Sequence, residues 1–187
     1  MKCPICDSKK AKRQCLLVGS ICSSCCGIER QKDLCSGCVY YRDPVHNYSD
    51  VPSYTTAEME DNLDLQIIAN AIESAIVAFD IEVQCMLQDS AYIRILERLL
   101  DVYHFQEQHI KSEDAFFESG FEYIAAVIKN DLPDTDHKTI TKILSVLRFV
   151  ARRRTEGYRE HITFLHEFVG ARIGKGMRIM SMRDGDQ

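Results

Sequence analysis

Eight of the nine cysteines of this chain lie within one short stretch near the N-terminus. They form three Cys-x2-Cys pairs and two further thiols. Four thiolates complete the tetrahedral shell of a structural zinc ion, so eight thiolates predict two zinc ions. A segment this short has almost no apolar core, and metal must therefore hold its fold. The predicted ligands are Cys3, Cys6, Cys15, Cys22, Cys25, Cys26, Cys35 and Cys38.

The adjacent thiols of Cys25 and Cys26 decide how the ligands divide between two ions. Neighbouring side chains point in different directions, so one ion would hold both only awkwardly. A sequential division of the eight cysteines places both on the second ion, whereas an interleaved, cross-brace division separates them. The interleaved division gives Cys3, Cys6, Cys22 and Cys25 to the first zinc, and Cys15, Cys26, Cys35 and Cys38 to the second.

Other uses of clustered thiols are disulfides, a thiol redox site and an iron–sulfur cluster, which would need four of them. Disulfides require an oxidising compartment. The N-terminus shows no secretory segment, since Met1 and Lys2 lead straight into Cys3. There is also no apolar run long enough to cross a membrane. We therefore expect a cytoplasmic protein with reduced, metal-bound thiols and no membrane partner.

Charge is distributed unevenly along the chain, whose formal net charge is −5. Residues 1–42 hold eight basic and three acidic side chains, and the thiolates with two Zn²⁺ would leave them near +1. The remainder carries a net charge of −10, which argues against a whole-protein nucleic-acid binder. Candidate contacts with an acidic partner are Lys9, Lys10, Lys12, Arg13 and Arg30.

The cysteine-rich stretch resembles the front end of a group of uncharacterised bacterial proteins. Their pattern is "CPxCGKRKAKR-C…ICxxCCG-KR…CPxDCxYL", followed by a helical region. The likeness covers about the first 42 residues and implies a zinc-finger module. This chain departs from the pattern at Asp7, where Gly is usual, and in residues 34–38, which lack the Pro. The spacing is also similar to HIT-type and MYND-type cross-brace fingers, which mostly bind proteins. The matching residues are Cys3-Pro-Ile-Cys6, Lys9-Lys10-Ala11-Lys12-Arg13, Cys15, Ile21-Cys22-Ser-Ser-Cys25-Cys26-Gly27, Glu29-Arg30 and Cys35-x2-Cys38-x-Tyr40.

Beyond the cysteines the pattern predicts a linker over 43–54, an all-helical bundle over 55–176 and a loose tail over 177–187. The fold class expected is thus mainly α, with a small two-zinc module in front. Thr55 and Glu58 form a capping box, and apolar residues continue at helical spacing from Leu63 to Met86. Further start signals are Asp89-Ser90 and Ser112. A last helix, which Gly157 alone separates from the one before, is predicted over 158–173.

Three features of the helical part bear on whether it has catalytic or metal-binding residues. Cys85 lies at an apolar position of the first predicted helix, which favours a small core residue over a reactive thiol. No Glu-x-x-His occurs, so a carboxylate-bridged di-iron site is excluded. Arg154 and His161 resemble the Arg-x(4–6)-His motif of HEPN ribonucleases, as do Arg159 and His166. The resemblance implies phosphodiester cleavage at a dimer interface.

The sequence favours a zinc-binding, non-enzymatic interaction protein with a protein or nucleic-acid partner. Its helical bundle would supply a second contact or form a homodimer. The alternative is a HEPN-like, metal-stabilised ribonuclease that uses Arg154 and His161.

Overall fold

The computed structural model describes residues 2–15, 18–28, 40, 46–107, 109, 112 and 114–180. The chain divides into two compact units, Met1–Asn47 and Tyr48–Gln187, named here the N-terminal unit and the helical unit. The described residues form seven helices and two β-hairpins, so the chain is mainly helical. None of these helices combines the length and the apolar character needed to cross a bilayer. The limits predicted for the cysteine-rich module and for the linker over 43–54 stay predictions.

The N-terminal unit has a β-hairpin followed directly by a short helix. Strands β1 (Arg13–Cys15) and β2 (Gly19–Ile21) pair antiparallel, and helix α1 covers Ser23–Ile28. Gly19 adopts a φ of 75°, which glycine reaches at little cost where the chain reverses. Among the described residues of this unit, the buried core is Cys3, Ile21, Cys22 and Cys25. A core with one large apolar side chain cannot hold a fold by itself.

The helical unit begins at the capping box predicted from sequence. Thr55 and Glu58 make both reciprocal bonds of the box, which confirms that prediction, but the helix they start, α2, covers only Thr56–Glu60. A new helix, α3, covers Leu63–Glu82, and its N-cap Asn62 accepts hydrogen bonds from two backbone N–H groups. The expectation of one helix reaching Met86 is therefore wrong, because an internal cap restarts it and Met86 is 68% exposed.

Four helices follow: α4 (Asp89–Tyr103), α5 (Ala115–Asp131), α6 (His137–Arg154) and α7 (Glu160–Phe168). Asp114 caps α5, which corrects the prediction for Ser112, whose hydroxyl accepts from the Asp114 N–H instead. Helices α6 and α7 are separate, because the chain leaves helical geometry at Thr155 and Gly157 has a φ of 109°.

Helix α3 is the centre of the helical unit. Every residue from Ser74 to Asp80 is buried, because α5, α6, α7 and the strand Ala171–Gly174 all contact this helix. Helix α4 in turn packs against α5, α6 and α7. At Gly120 the helices approach so closely that a Cβ would lie 2.6 Å from Ile95 Cδ1. Each large apolar side chain buried this way contributes about 1.5–3 kcal/mol, so packing alone can hold this unit.

The C-terminal end of the helical unit is a β-hairpin, which sequence analysis did not predict. The last helix stops at Phe168 instead of extending to residue 173, and β3 (Ala171–Gly174) pairs antiparallel with β4 (Met177–Ile179). The reason is Gly170, whose φ is 79° and where a Cβ would lie 2.5 Å from the Ile179 carbonyl oxygen. The expectation of an all-helical second part is corrected accordingly, as is that of a loose tail over residues 177–179; residues 181–187 of that tail lie outside the described residues.

Candidate metal centre and neighbouring sites

Four cysteines from two segments converge in the N-terminal unit. Cys3 and Cys6 precede β1, and Cys22 and Cys25 lie at the start of α1. Their sulfur atoms all lie within 4.8 Å of one another, and the Cys6 and Cys22 sulfurs are 3.9 Å apart. A tetrahedral zinc ion with Zn–S bonds of about 2.3 Å would separate its sulfurs by about 3.8 Å. A disulfide needs about 2.05 Å, so these free thiols fit a metal ion instead.

Backbone hydrogen bonds shape the loop that carries Cys3 and Cys6. The Asp7 N–H donates to the Cys3 carbonyl at 2.8 Å, and the Cys3 N–H donates to the Lys9 carbonyl at 2.8 Å. Asp7 therefore adopts a φ of 47°, in the left-handed region that glycine enters freely and aspartate tolerates.

The electrostatics of the four thiols differ sharply within the cluster. Hydrogen bonds from the Ser8 hydroxyl and the backbone of Lys9 lower the pKa of Cys6 to about 5. Burial and then the neighbouring thiols raise the pKa of Cys25 to about 12. Four thiols this close do not all ionise without a compensating cation. A divalent metal supplies that charge and deprotonates its ligands.

The second predicted set of ligands is only partly within the described residues. Cys15 ends β1 and Cys26 lies in α1, and both are partly buried against the first cluster. The Arg13 guanidinium donates to the Cys26 sulfur at 3.5 Å. Cys35 and Cys38 lie outside the described residues, so the second zinc ion stays a prediction.

The basic residues singled out for partner contact divide into two groups. Lys9, Lys10 and Lys12 are exposed, and the Lys9 ammonium lies 3.2 Å from the Ser24 hydroxyl. Arg13 is half-buried, with its guanidinium 5.1 Å from the centre of the Tyr40 ring as well as near Cys26. Arg30 lies outside the described residues. The three lysines therefore form the positively charged surface beside the cysteine cluster, named here the lysine surface.

Arg154 and His161 lie in different surroundings, the first exposed and the second buried. His161 is fully buried and stacks on Tyr92 with ring centres 5.4 Å apart. Neither ring nitrogen has a hydrogen-bond partner among the described residues, and burial lowers the pKa of His161 to about 4. Arg154 is exposed and lies over the Phe164 ring at 3.7 Å. In this conformation an RNA phosphodiester cannot reach the His161 ring, so its position gives the ribonuclease alternative no support.

The second Arg–His pair converges on an aspartate that sequence analysis missed. Asp80, at 0% exposure, receives two hydrogen bonds from the Arg159 guanidinium, at 3.1 and 2.8 Å. The His166 Nε2 lies 2.7 Å from Asp80 Oδ2, and the Leu87 N–H donates to Asp80 Oδ1 at 2.9 Å. We name Asp80, Arg159 and His166 the Asp80 cluster. No sequence signal links Asp80 to the other two, since about 80 residues separate it from them.

Burial raises the pKa of Asp80, but hydrogen bonds from His166, Arg159 and the Leu87 N–H outweigh it. The net result is a pKa lowered to about 2. Asp80 is therefore an ionised carboxylate at any physiological pH.

Cys85 lies beside this cluster, not in the core. It is exposed, follows the end of α3 and has a φ of 59°, so the prediction of a small buried core residue is wrong. Its sulfur, a His166 ring nitrogen and an Asp80 oxygen lie within 4.8 Å of one another. The helical spacing failed here because α3 ends at Glu82, three residues before the cysteine.

Comparison with protein-family models, curated proteins and solved structures found no match to this chain. Both sites are therefore interpreted from their own geometry.

Proposed function

We propose that Cys3, Cys6, Cys22 and Cys25 bind a structural zinc ion and that the chain is a non-enzymatic interaction protein. The observation that carries the proposal is the convergence of four sulfurs within 4.8 Å. A knuckle, a β-hairpin and a helix that starts with the last two ligands follow the order of a treble-clef finger. Four protein ligands leave no open position for substrate, which is typical of structural zinc.

A second zinc ion on Cys15, Cys26, Cys35 and Cys38 would complete the cross-brace arrangement. The partial burial of Cys15 and Cys26 against the first cluster supports this part of the proposal. Two ions per chain in a zinc-loaded native mass spectrum would agree with it, and one ion would limit the site to the first four thiols.

The proposed partner is a protein that presents an acidic segment. Lys9, Lys10 and Lys12 are exposed beside the metal centre, while Arg13 already contacts Cys26 and Tyr40. Ammonium groups act as point charges toward carboxylates, whereas phosphate recognition more often uses the bidentate arginine fork. The net charge of −5 also opposes a long polyanion.

The test is fluorescence anisotropy of the zinc-loaded chain with a labelled peptide rich in Asp and Glu. Lys10→Ala together with Lys12→Ala should weaken binding about 5- to 30-fold, because two surface charge contacts contribute roughly 1–2 kcal/mol. Lys129→Ala together with Lys138→Ala is the matched control, since both lysines are exposed in the helical unit and the charge change is the same.

Equal binding by the two double variants would contradict the assignment of the lysine surface. Tighter binding of a single-stranded oligonucleotide of equal charge, with a steep dependence on salt, would identify a nucleic-acid partner instead. The same native mass spectrum gives the oligomeric state, and the homodimer through the helices stays a prediction until then.

A further inference from the structure

We propose that Cys85 is a reactive thiol that undergoes thiol–disulfide exchange with low-molecular-weight disulfides, and that His166 accepts the proton of the Cys85 thiol. Asp80 and Arg159 act as positioning residues in this site. The proposal is independent of the zinc centre, because all four residues belong to the helical unit.

The loop that carries Cys85 has an unusual backbone. Gln84 and Cys85 have φ values of 56° and 59°, and consecutive left-handed residues other than glycine cost about 1–3 kcal/mol each. The Arg159 guanidinium offsets this cost by donating to the carbonyl oxygens of Cys85 and Leu87, while Asp80 accepts from the Leu87 N–H. The Asp80 cluster thus fixes the loop with the thiol exposed to solvent.

The Cys85 sulfur, the His166 imidazole and the Asp80 carboxylate lie close together. The Cys85 sulfur lies within 4.8 Å of a His166 ring nitrogen, and the His166 Nε2 lies 2.7 Å from Asp80 Oδ2. A carboxylate that contacts a ring nitrogen orients the imidazole. The Arg159 guanidinium donates to the Cys85 carbonyl oxygen, so its positive charge lies beside the same residue. Positive charge beside an exposed thiol favours the thiolate, which is the nucleophilic form.

A metal ion fits this cluster poorly, although its three side chains are all possible ligands. Asp80 Oδ1 already accepts from the Leu87 N–H and Arg159, and Oδ2 contacts Arg159 and His166. A cation would also have to approach the arginine charge. The site therefore suits an anionic thiolate better than a metal.

The backbone around Cys85 distinguishes disulfide exchange from acyl transfer. Acyl transfer needs N–H donors for the oxyanion. Each N–H from residue 83 to residue 87 is already engaged, by the oxygens of Phe79, Ile81, Asp80, Val83 and the Asp80 carboxylate in turn. Disulfide exchange requires only access to the sulfur, which Cys85 has.

The bonds, electrons and proton of the exchange are all accounted for by Cys85, His166 and the disulfide. The Cys85 thiol gives its proton to His166, and the thiolate attacks one sulfur of the disulfide. The disulfide bond breaks as the mixed disulfide with Cys85 forms, so Cys85 is oxidised and the departing half is reduced. The departing thiolate takes the proton from His166 and leaves as a thiol.

The test uses the zinc-loaded full chain and dithiodipyridine, with the modified cysteine located by peptide mapping. We expect one thiol per chain to react at pH 6 at least about tenfold faster than glutathione, a phase that Cys85→Ala abolishes. His166→Gln retains an amide toward Asp80 but cannot titrate, and it should reduce the rate to that of glutathione. His137→Gln, at the exposed start of α6, is the matched control and should react like the wild type.

The pH profile of the wild type decides the proposal even if a variant fails to fold. A Cys85 rate that follows the profile of glutathione from about pH 5 to 8 would overturn it. A folded His166→Gln variant that reacts as fast as the wild type would also overturn it, since His166 would then have only a structural role.

Discussion

Among the described residues, the N-terminal unit buries Cys3, Ile21, Cys22 and Cys25, whereas the helical unit buries 27 residues in one apolar cluster. Three of the four side chains in the smaller core are also candidate metal ligands. In the larger unit, helix α3 alone contributes seven members of the cluster. The two units therefore use different physical means to order the chain.

The difference shows what each unit can tolerate. Under the proposed zinc site, the N-terminal unit depends on ligand bonds, so loss of one thiol should remove most of its stability. The helical unit has enough apolar burial to hold a charged aspartate at 0% exposure, provided that its partners are in place. Damage in one unit should leave the other largely intact.

The largest effect is expected from Cys22→Ser. We predict loss of the first zinc ion and unfolding of the N-terminal unit, because structural zinc contributes about 10–16 kcal/mol in zinc-finger peptides at neutral pH. The helices should retain their unfolding midpoint. Native mass spectrometry measures the zinc content, and circular dichroism with urea follows the helices.

The control for Cys22→Ser is Cys85→Ser, which removes a thiol outside the metal centre. It should keep the same zinc content as the wild type. Equal zinc loss in the two variants would mean that the cysteine cluster is not the metal site.

The next largest effect concerns Asp80→Asn. Breaking a buried ion pair leaves Arg159 without its counter-charge, which should cost the helical unit about 3–5 kcal/mol. Zinc content should not change. Asp134→Asn, in the exposed loop before α6, removes the same charge and should shift the free energy of unfolding little, as measured by urea denaturation.

Acid denaturation tests the contribution of the Asp80 carboxylate to stability in a second way. Its folded pKa is lowered to about 2, below an unfolded value of about 3.9, so the folded state binds fewer protons. The stability it provides is complete above pH 4 and falls as the pH drops from about 4 to 2. Asp80→Asn should flatten the fall in that window, and an unchanged acid profile would exclude this role.

The smallest effect is expected from Arg94→Ala. Arg94 and Asp114 form an ion pair at 3.5 Å, with side chains 54% and 47% exposed. Exposed pairs contribute about 0–1 kcal/mol, so the variant should unfold within about 1 kcal/mol of the wild type. A larger loss of unfolding free energy, measured by urea denaturation, would mean that surface charge stabilises the helical unit. That result would contradict the claim that packing holds this unit.

Local signals in the sequence predicted local structure well. The capping box at Thr55 appears as expected, because its bonds lie within three residues of each other. The convergence of Cys3 and Cys6 with Cys22 and Cys25 also agrees with the interleaved division, which rested on the geometry of adjacent thiols. The ligands predicted for the second ion cannot be compared with the structure, since Cys35 and Cys38 lie outside the described residues.

Features that depend on distant contacts could not be predicted. The strand β3 forms because the chain turns at Gly170 and pairs with β4, and its sequence has no clear polar alternation. Asp89 lies in the first turn of α4, yet its carboxylate caps α7 through the N–H groups of His161 and Ile162. The Asp80 cluster joins residues about 80 positions apart, and only the packing of α3 against α7 reveals it.

The central claim is that metal at the four cysteines holds the N-terminal unit while packing holds the helical unit. Hydrogen exchange measured by mass spectrometry, with and without a zinc chelator, tests it most directly. We predict that peptides within residues 2–28 lose protection on chelation, while those within residues 63–168 keep theirs. Retained protection of residues 2–28 in metal-free protein would contradict the account.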